Sequence, residues 1–382
     1  MLTRKRQVAF AIESVEGTAE TLTAANAKLY AYDPKITFEP EMHDPAVAGI
    51  ASSQMAKVSG KRPGTYKIGF HINGSGAAAT DPEWIKLLRA CGFASSTLSS
   101  ITIGAITSGP LVHGETITGG TSNATGRVIK RTVTGTTTLY FVSTSSATFQ
   151  NGEVITGGTS GATATTGSLP STAGKVMEPI ESSIPSLTMA GYEDGLRKLL
   201  KGCRGSKIKF DFKTGKVCLG DVELKGVEAG VADVALLSGV TRETSLPPAF
   251  LSAAFTCDAV VMKFSELSIS IDNTIVPRDD PSESRGIASF AITPPQKITV
   301  TMDPEMLLAA THDFHTKWFA GTTMVLDFTL GTTAGNKYEF YAPAVQYDKV
   351  DDDARDGLAV GKVSATCTGS VDKNDAFAIL QL

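Results

Sequence analysis

Several short stretches of the chain have residue types and spacings that could do chemistry. Gly74-Ser75-Gly76, between strand-like and helix-like text, imitates the glycine-rich turn of a dinucleotide site. That site needs an acidic residue closing a second parallel strand about 20 residues on, and residues 93–101 offer none. Residues 357–364, GLAVGKVS, lack the glycine spacing of a phosphate loop, and valine stands where it needs Ser or Thr after the lysine. Gly120-Thr121-Ser122 and Gly158-Thr159-Ser160 resemble a nucleophile elbow, but alanine replaces its last glycine in both. They read as β-turns. The acidic run 351–357 resembles a calcium loop until Arg355, which puts a positive charge at a ligand position. His312 and His315 could share a face, yet no cysteine or further histidine nearby completes a ligand set. The basic cluster Arg197, Lys198, Lys201, Arg204, Lys207 and Lys209 reads as a solvated face, or one that meets acids on a neighbouring subunit. No enzyme signature survives, and the sequence predicts no catalysis, no cofactor and no metal.

The chain has 382 residues, enough for two or three domains. A net charge of −4 gives no basic field to argue for nucleic-acid binding. Plentiful Gly, Thr and Ser predict strands and tight turns. The five cysteines are scattered and predict buried free thiols in a reducing compartment. The charged start Arg4-Lys5-Arg6 has no apolar run after it, and no stretch reaches membrane-spanning length. Synthesis and folding in a cytoplasm are the expectation.

Residues 81–93, DPEWIKLLRACGF, predict a capped helix with Trp84, Leu87, Leu88 and Cys91 on one face. Asp303-Pro304-Glu305 and the Trp318 region repeat that text, each copy following an alternating strand, at residues 65–72 and 296–302. This reads as a tandem duplication. Residues 1–29 are expected to form an extended arm, with a strand at 8–12, that docks on something else. Residues 30–94 and 172–259 form the expected first domain, and residues 260–382 the second. The aperiodic stretch 42–64 carries Val47, Ile50, Met55 and Val58, which predicts packing on a partner or a long hairpin. The polar loop 272–286 occupies the matching place in the second half. Residues 192–203 predict a short basic helix. Residues 95–171 contain an internal repeat, GETITGGTSNAT against GEVITGGTSGAT, 38 residues apart, and predict a small β module inserted into a surface loop.

Several stretches, in order, resemble the major tail tube proteins of long-tailed (siphovirus-like) bacteriophages. They are residues 6–13 with Gly17-Thr18 and 24–27, then Tyr192–Gly195 with Gly202–Gly205 and a following strand. Val276-Pro277-Arg278, Asp303-Pro304-Glu305, and residues 331–336 before 338–343 complete the series. The resemblance implies a β-sandwich flanked by an α-helix, with a hairpin contributing to an inner β-barrel; joined to the duplication, it gives a mainly β chain of two tandem tube-like β-sandwich or barrel folds, each with a flanking α-helix, plus the inserted module on the outer surface. It implies rings stacked into a virion tail tube through which double-stranded DNA passes into the host. The common ring holds six single-fold subunits, so two folds per chain imply trimeric rings with pseudo-sixfold symmetry. It also implies contacts with tape-measure, tail terminator and distal tail proteins. On this reading the candidate contacts between subunits or rings are Val8, Phe10, Ile12, Val47, Ile50, Met55, Val58, Arg278 and Arg285. Two alternatives stay open, another phage structural protein of the head or tail tip, and a glycan-binding surface protein acting through the repeat module.

Overall fold

The computed structural model describes residues 5–45, 55–130, 137–251, 255–369 and 374–382. Strands make up 55% and helices 4%, so the fold is mainly β. β1 (Arg6–Ile12) and β2 (Ala31–Phe38) open the chain, followed by β3 (Pro63–His71). Met42 pairs with Ser59 and His43 with Val58, so β2 and β3 belong to one long hairpin. After α1 (Ile85–Ala90) come β4 (Phe93–Ile103), a module of short strands, and β5 (Ser171–Pro179). β6 (Leu187–Glu193), β7 (Leu196–Lys213) and β8 (Leu219–Asp233) follow. The second half holds β9 (Phe264–Asp279), β10 (Ile287–Pro304), α2 (Phe314–Phe319) and β11 (Thr323–Leu330). β12 (Tyr338–Arg355), β13 (Leu358–Cys367) and β14 (Ala378–Gln381) complete it.

Eight strands lie side by side, all antiparallel, in the order β2-β3-β8-β7-β9-β10-β13-β12. The order is one four-strand pattern run twice. In each half a hairpin is followed by a helix and then by a second hairpin, whose last strand pairs with the last strand of the first. The registers agree as well. Placing Lys67 on Thr301 carries its neighbours Lys35 onto Ser268 and Glu223 onto Ser364. Even the bulges coincide, with Ser206 skipped in β7 and Asp348 in β12.

Alternation explains why these segments are strands with one wet face. In β7 the text Lys207-Ile208-Lys209-Phe210-Asp211-Phe212-Lys213 buries Ile208, Phe210 and Phe212 and turns its charges outward. The buried side packs Trp84 edge-on to Phe210 and Tyr338, and beyond them Phe328 stacks on Phe340 while Phe212 meets both edge-on. One core therefore runs through both halves. Its far wall is β4-β5-β14 with the first part of β12, and β11 beside it. That wall is apolar on both sides: Met177, Ile379 and Phe340 face the main core, while Val176, Leu380 and Tyr341 face away.

The module packs on that far side through Ile129, and Lys130 ion-pairs with Asp327 at 2.8 Å and with Glu339. It also has its own core, including Ile117, Val128, Phe141, Phe149 and Ile155. The two copies of its repeat cap each other. Glu115 accepts from the N–H groups of Thr159 and Ser160, and Glu153 from those of Thr121 and Ser122. The Gly-Thr-Ser segments are turns, each closed by the other copy's glutamate.

Four sequence expectations change. Residues 192–203 are not a helix: β6 and β7 form a hairpin about Asp194-Gly195, both at positive φ, the conformation of a tight two-residue hairpin turn. The arm's strand does not leave the chain, because β1 pairs along its whole length with β6. The loop 272–286 is mostly strand, as β9 runs on to Asp279 and β10 starts at Ile287. The two Asp-Pro-Glu copies are not equivalent: Asp81-Pro82-Glu83 leads straight into α1, whereas Asp303-Pro304 ends β10 and residues 305–313 separate it from α2. The repetition is real in strand order and register, not in that motif. All five cysteines are free and buried.

Candidate functional surface

The solvent face of the eight-stranded sheet is the most organised polar surface among the described residues. It is a lattice of ion pairs across and along the strands. Lys67 meets Glu223 at 2.7 Å, Lys207 meets Asp272 at 3.1 Å, and Lys209 meets Asp211 at 2.8 Å. Lys213 meets Glu266 and Lys362 meets Asp353, each at 2.7 Å, and Lys349 pairs with Asp351. Ser268, Ser270, Thr299, Thr301, Ser364 and Thr366 fill the positions between. The hydrogen bond from Lys67 to Glu223 holds that ammonium above its usual range, as Glu266 does for Lys213 and Asp353 for Lys362. Burial works to raise Asp303, but hydrogen bonds from Glu266, Ser265 and Arg355 outweigh it and hold the carboxyl below its usual range. These groups stay charged at neutral pH and cancel one another. Exposed pairs of this kind add little stability. What they achieve is a wet surface with little net field.

Each end of this sheet is open, apart from Trp318 of α2, which donates to the carbonyl of Asp348 at 3.0 Å. Among the described residues, no strand pairs with the outer edge of β2, or with residues 347–355 of β12 on the side away from β13. An unpaired edge is a row of free backbone donors and acceptors, and soluble proteins normally cover or disguise it.

The residues singled out from sequence fall into three places. Val8 and Phe10 lie in the chain's own core, and Ile12 packs against it, so β1 shows other chains little apolar surface. Met55 and Val58, each 58% exposed, lie on the outer arm of the first hairpin; Val47 and Ile50 fall outside the described residues. Arg278 and Arg285 belong to the corresponding outer arm of the second hairpin, which is pinned to the first half. Arg278 donates to Glu16 at 2.9 Å, and Arg285 Nε lies 2.5 Å from Glu228. The basic cluster meets acids of its own chain, among them Lys201–Glu283 and Arg204–Glu16. His312 lies under α2, with its Nε2 hydrogen-bonded to Tyr347 OH at 2.9 Å. The sequence reading missed the ion-pair lattice, although the alternating Lys and Asp of residues 207–213 were its visible trace.

The surface is thus a neutral polar sheet face, without a pairing strand at either edge among the described residues and backed by one apolar core. The sequence matches the phage tail tube protein family over residues 3–371. The chain belongs to that family. Its role is therefore structural, in the virion tail, and the family assembles into a tube. No curated protein matches the chain. No helix among its described residues is long and apolar enough to cross a membrane.

Proposed function

We propose that three copies of this chain close into a ring, that rings stack into the tail tube, and that the ion-paired sheet face lines its channel. The observation that carries the reading is the four-strand pattern run twice in one register and left unpaired at both ends. Each chain then acts as two subunits of a pseudo-sixfold ring, and three chains close a barrel of about two dozen strands. On this reading the halves at residues 30–94 with 172–259 and 260–382 are the two tube units. The module between β4 and β5 points outward, since it sits on the far side of the wall opposite the ion-paired face, and residues 95–103 of the expected insertion are wall strand.

A channel for DNA works best if its wall neither condenses the phosphate backbone nor repels it along the whole length. A basic wall would bind through counterion release, with steep salt dependence. The wall here keeps its lysines matched by its own acids. Passage of DNA to the host, and contacts at the tube's ends and with whatever fills it before ejection, follow from the same arrangement.

Electron microscopy of assembled tubes with symmetry determination tests this. Stacked rings of three chains about an open hole are expected. Rings of six chains would overturn the pairing of two units per chain, and a protein that never forms rings with its tail partners would overturn the reading itself.

A further inference from the structure

The seam between the two halves of one chain shows how the seam between two chains is made. β7 and β9 come from different halves, yet they continue one sheet. Lys207 stands opposite Asp272, Ile208 opposite Ile271, Lys209 opposite Ser270 and Asp211 opposite Ser268. By the register agreement described above, β12 is the second half's counterpart of β7, and β2 is the first half's counterpart of β9. These are the two strands whose edges are open.

We infer, on the ring reading above, that β12 of one copy pairs antiparallel with β2 of the next, with Lys349 opposite Glu39, Val350 opposite Phe38, Asp351 opposite Thr37 and Asp353 opposite Lys35. Only the repeat is needed to derive this register, and the side chains then agree with it. Lys349 opposite Glu39 reproduces the signs of the Lys207–Asp272 pair, found at 3.1 Å inside the chain. Asp353 opposite Lys35 adds a second pair of opposite sign, and Val350 opposite Phe38 keeps an apolar pair on the core side. Asp352 opposite Ile36 is the one poor match.

The surfaces beside the seam point to the same occupant. In the second half, the outer arm of the β9–β10 hairpin is covered by the first half: Ile275, Ile287 and Phe290 pack with Val227. The first hairpin's outer arm has no such cover, and Met42, Met55 and Val58 stand 50–58% exposed. Ala90, at the end of α1, is fully buried, whereas Phe319, at the end of α2, is 76% exposed. What the first half covers within a chain, a neighbouring copy covers between chains.

Disulfide trapping in assembled tubes tests the register. Opposed residues of an antiparallel pair bring their Cα atoms to about 4.5–5.5 Å, within disulfide reach. The double variant Asp351→Cys with Thr37→Cys is expected to give chain-to-chain bonds, seen as multimers on a non-reducing gel. A pair shifted by two residues, Asp353→Cys with Thr37→Cys, is expected to give about ten-fold less. The internal pair Lys209→Cys with Ser270→Cys should close within one chain, and the five native cysteines are buried. As a second readout, Lys349→Glu or Glu39→Lys alone should impair assembly, and the two together should restore it. Intact rings that cross-link best in the shifted pair, or not at all, would overturn the register while leaving the ring reading in place. Absence of rings in the unmodified protein would overturn the ring reading, and this inference with it.

Discussion

Trp84 and Tyr338, from opposite halves of the chain, share one acceptor. Trp84 Nε1 and Tyr338 OH each donate to the carbonyl of Asn73 at 3.0 Å, with their rings 5.6 Å apart. The apolar core is continuous through this point, so the halves are bound by more than a linker. A protein with two separate cores would unfold in steps. Its two halves are expected to unfold together as one cooperative unit, the inserted module with its own core aside, and fragments 1–259 and 260–382 are each expected to remain unfolded when made alone. Tyr338→Phe removes one buried hydrogen bond and should cost about 1–2 kcal/mol in urea unfolding. Separate transitions for the two halves, followed by hydrogen exchange in β7 and β12, would contradict the shared core.

The inserted module depends on Glu153 in a way that can be titrated. Burial works to raise its carboxyl, but hydrogen bonds from Ser122, Gln150 and Thr121 outweigh it and hold the group below the usual carboxylate range. A group depressed in this way contributes stability that is full above its unfolded value and is lost as the pH falls through the folded one. Glu153→Gln should therefore destabilise the module by about 2 kcal/mol near neutral pH. In acid, where both side chains are uncharged, variant and parent should converge. Hydrogen exchange of residues 104–166 measured against pH would show it, and a gap that stays constant into acid would contradict the assignment.

The same module shows what a sequence can and cannot disclose. Its repeat and its turns were readable, because each glycine-rich turn is punctuated locally. That each turn is closed by the other copy's glutamate was not readable, because the partners lie 31 and 45 residues away. The strands of the sheet were readable from alternation, as in residues 207–213. Residues 192–203 misled because Leu196, Leu199, Leu200 and Cys203 satisfy a helical period. There the turn at Asp194-Gly195 and pairing with β6 and β8 overrode the period. The Asp-Pro-Glu match pointed to a repetition for the wrong reason. What repeats is register, which is a property of pairing and leaves little mark on residue identity.

The module should be removable without loss of tube assembly. Its two ends are clamped together where they leave the wall, since Gly104 N donates to Thr165 O at 2.8 Å and Gly167 N to Thr102 O at 2.7 Å. Replacing residues 105–164 with a short turn therefore joins points already adjacent, the condition under which deletions are tolerated. Removal uncovers the apolar patch of Leu98, Val176, Tyr341 and Leu380. Changing Val176 and Leu380 to Thr along with the deletion should keep the protein soluble. Tubes of unchanged ring symmetry but smaller outer diameter are expected in micrographs. Loss of rings by a soluble, folded deletion protein would show that the module contributes to assembly.

The charge lattice of the sheet face yields the most direct test of the channel. Asp211 neutralises Lys209 and Glu266 neutralises Lys213. Asp211→Asn with Glu266→Gln keeps size and polarity, and breaking exposed, solvent-screened pairs costs little, so folding and assembly should survive. Every chain would then present two unmatched lysines to the channel, repeated in each ring. Phosphates passing such a wall displace counterions, and the attraction grows steeply as salt falls. Phage carrying the double variant should eject DNA more slowly than the parent at low salt and approach it as salt rises, with tail length unchanged. Parent phage should show little of that dependence. Equal ejection rates across the salt range would mean that this face does not meet the DNA, and the channel wall would have to be sought on another surface of the chain.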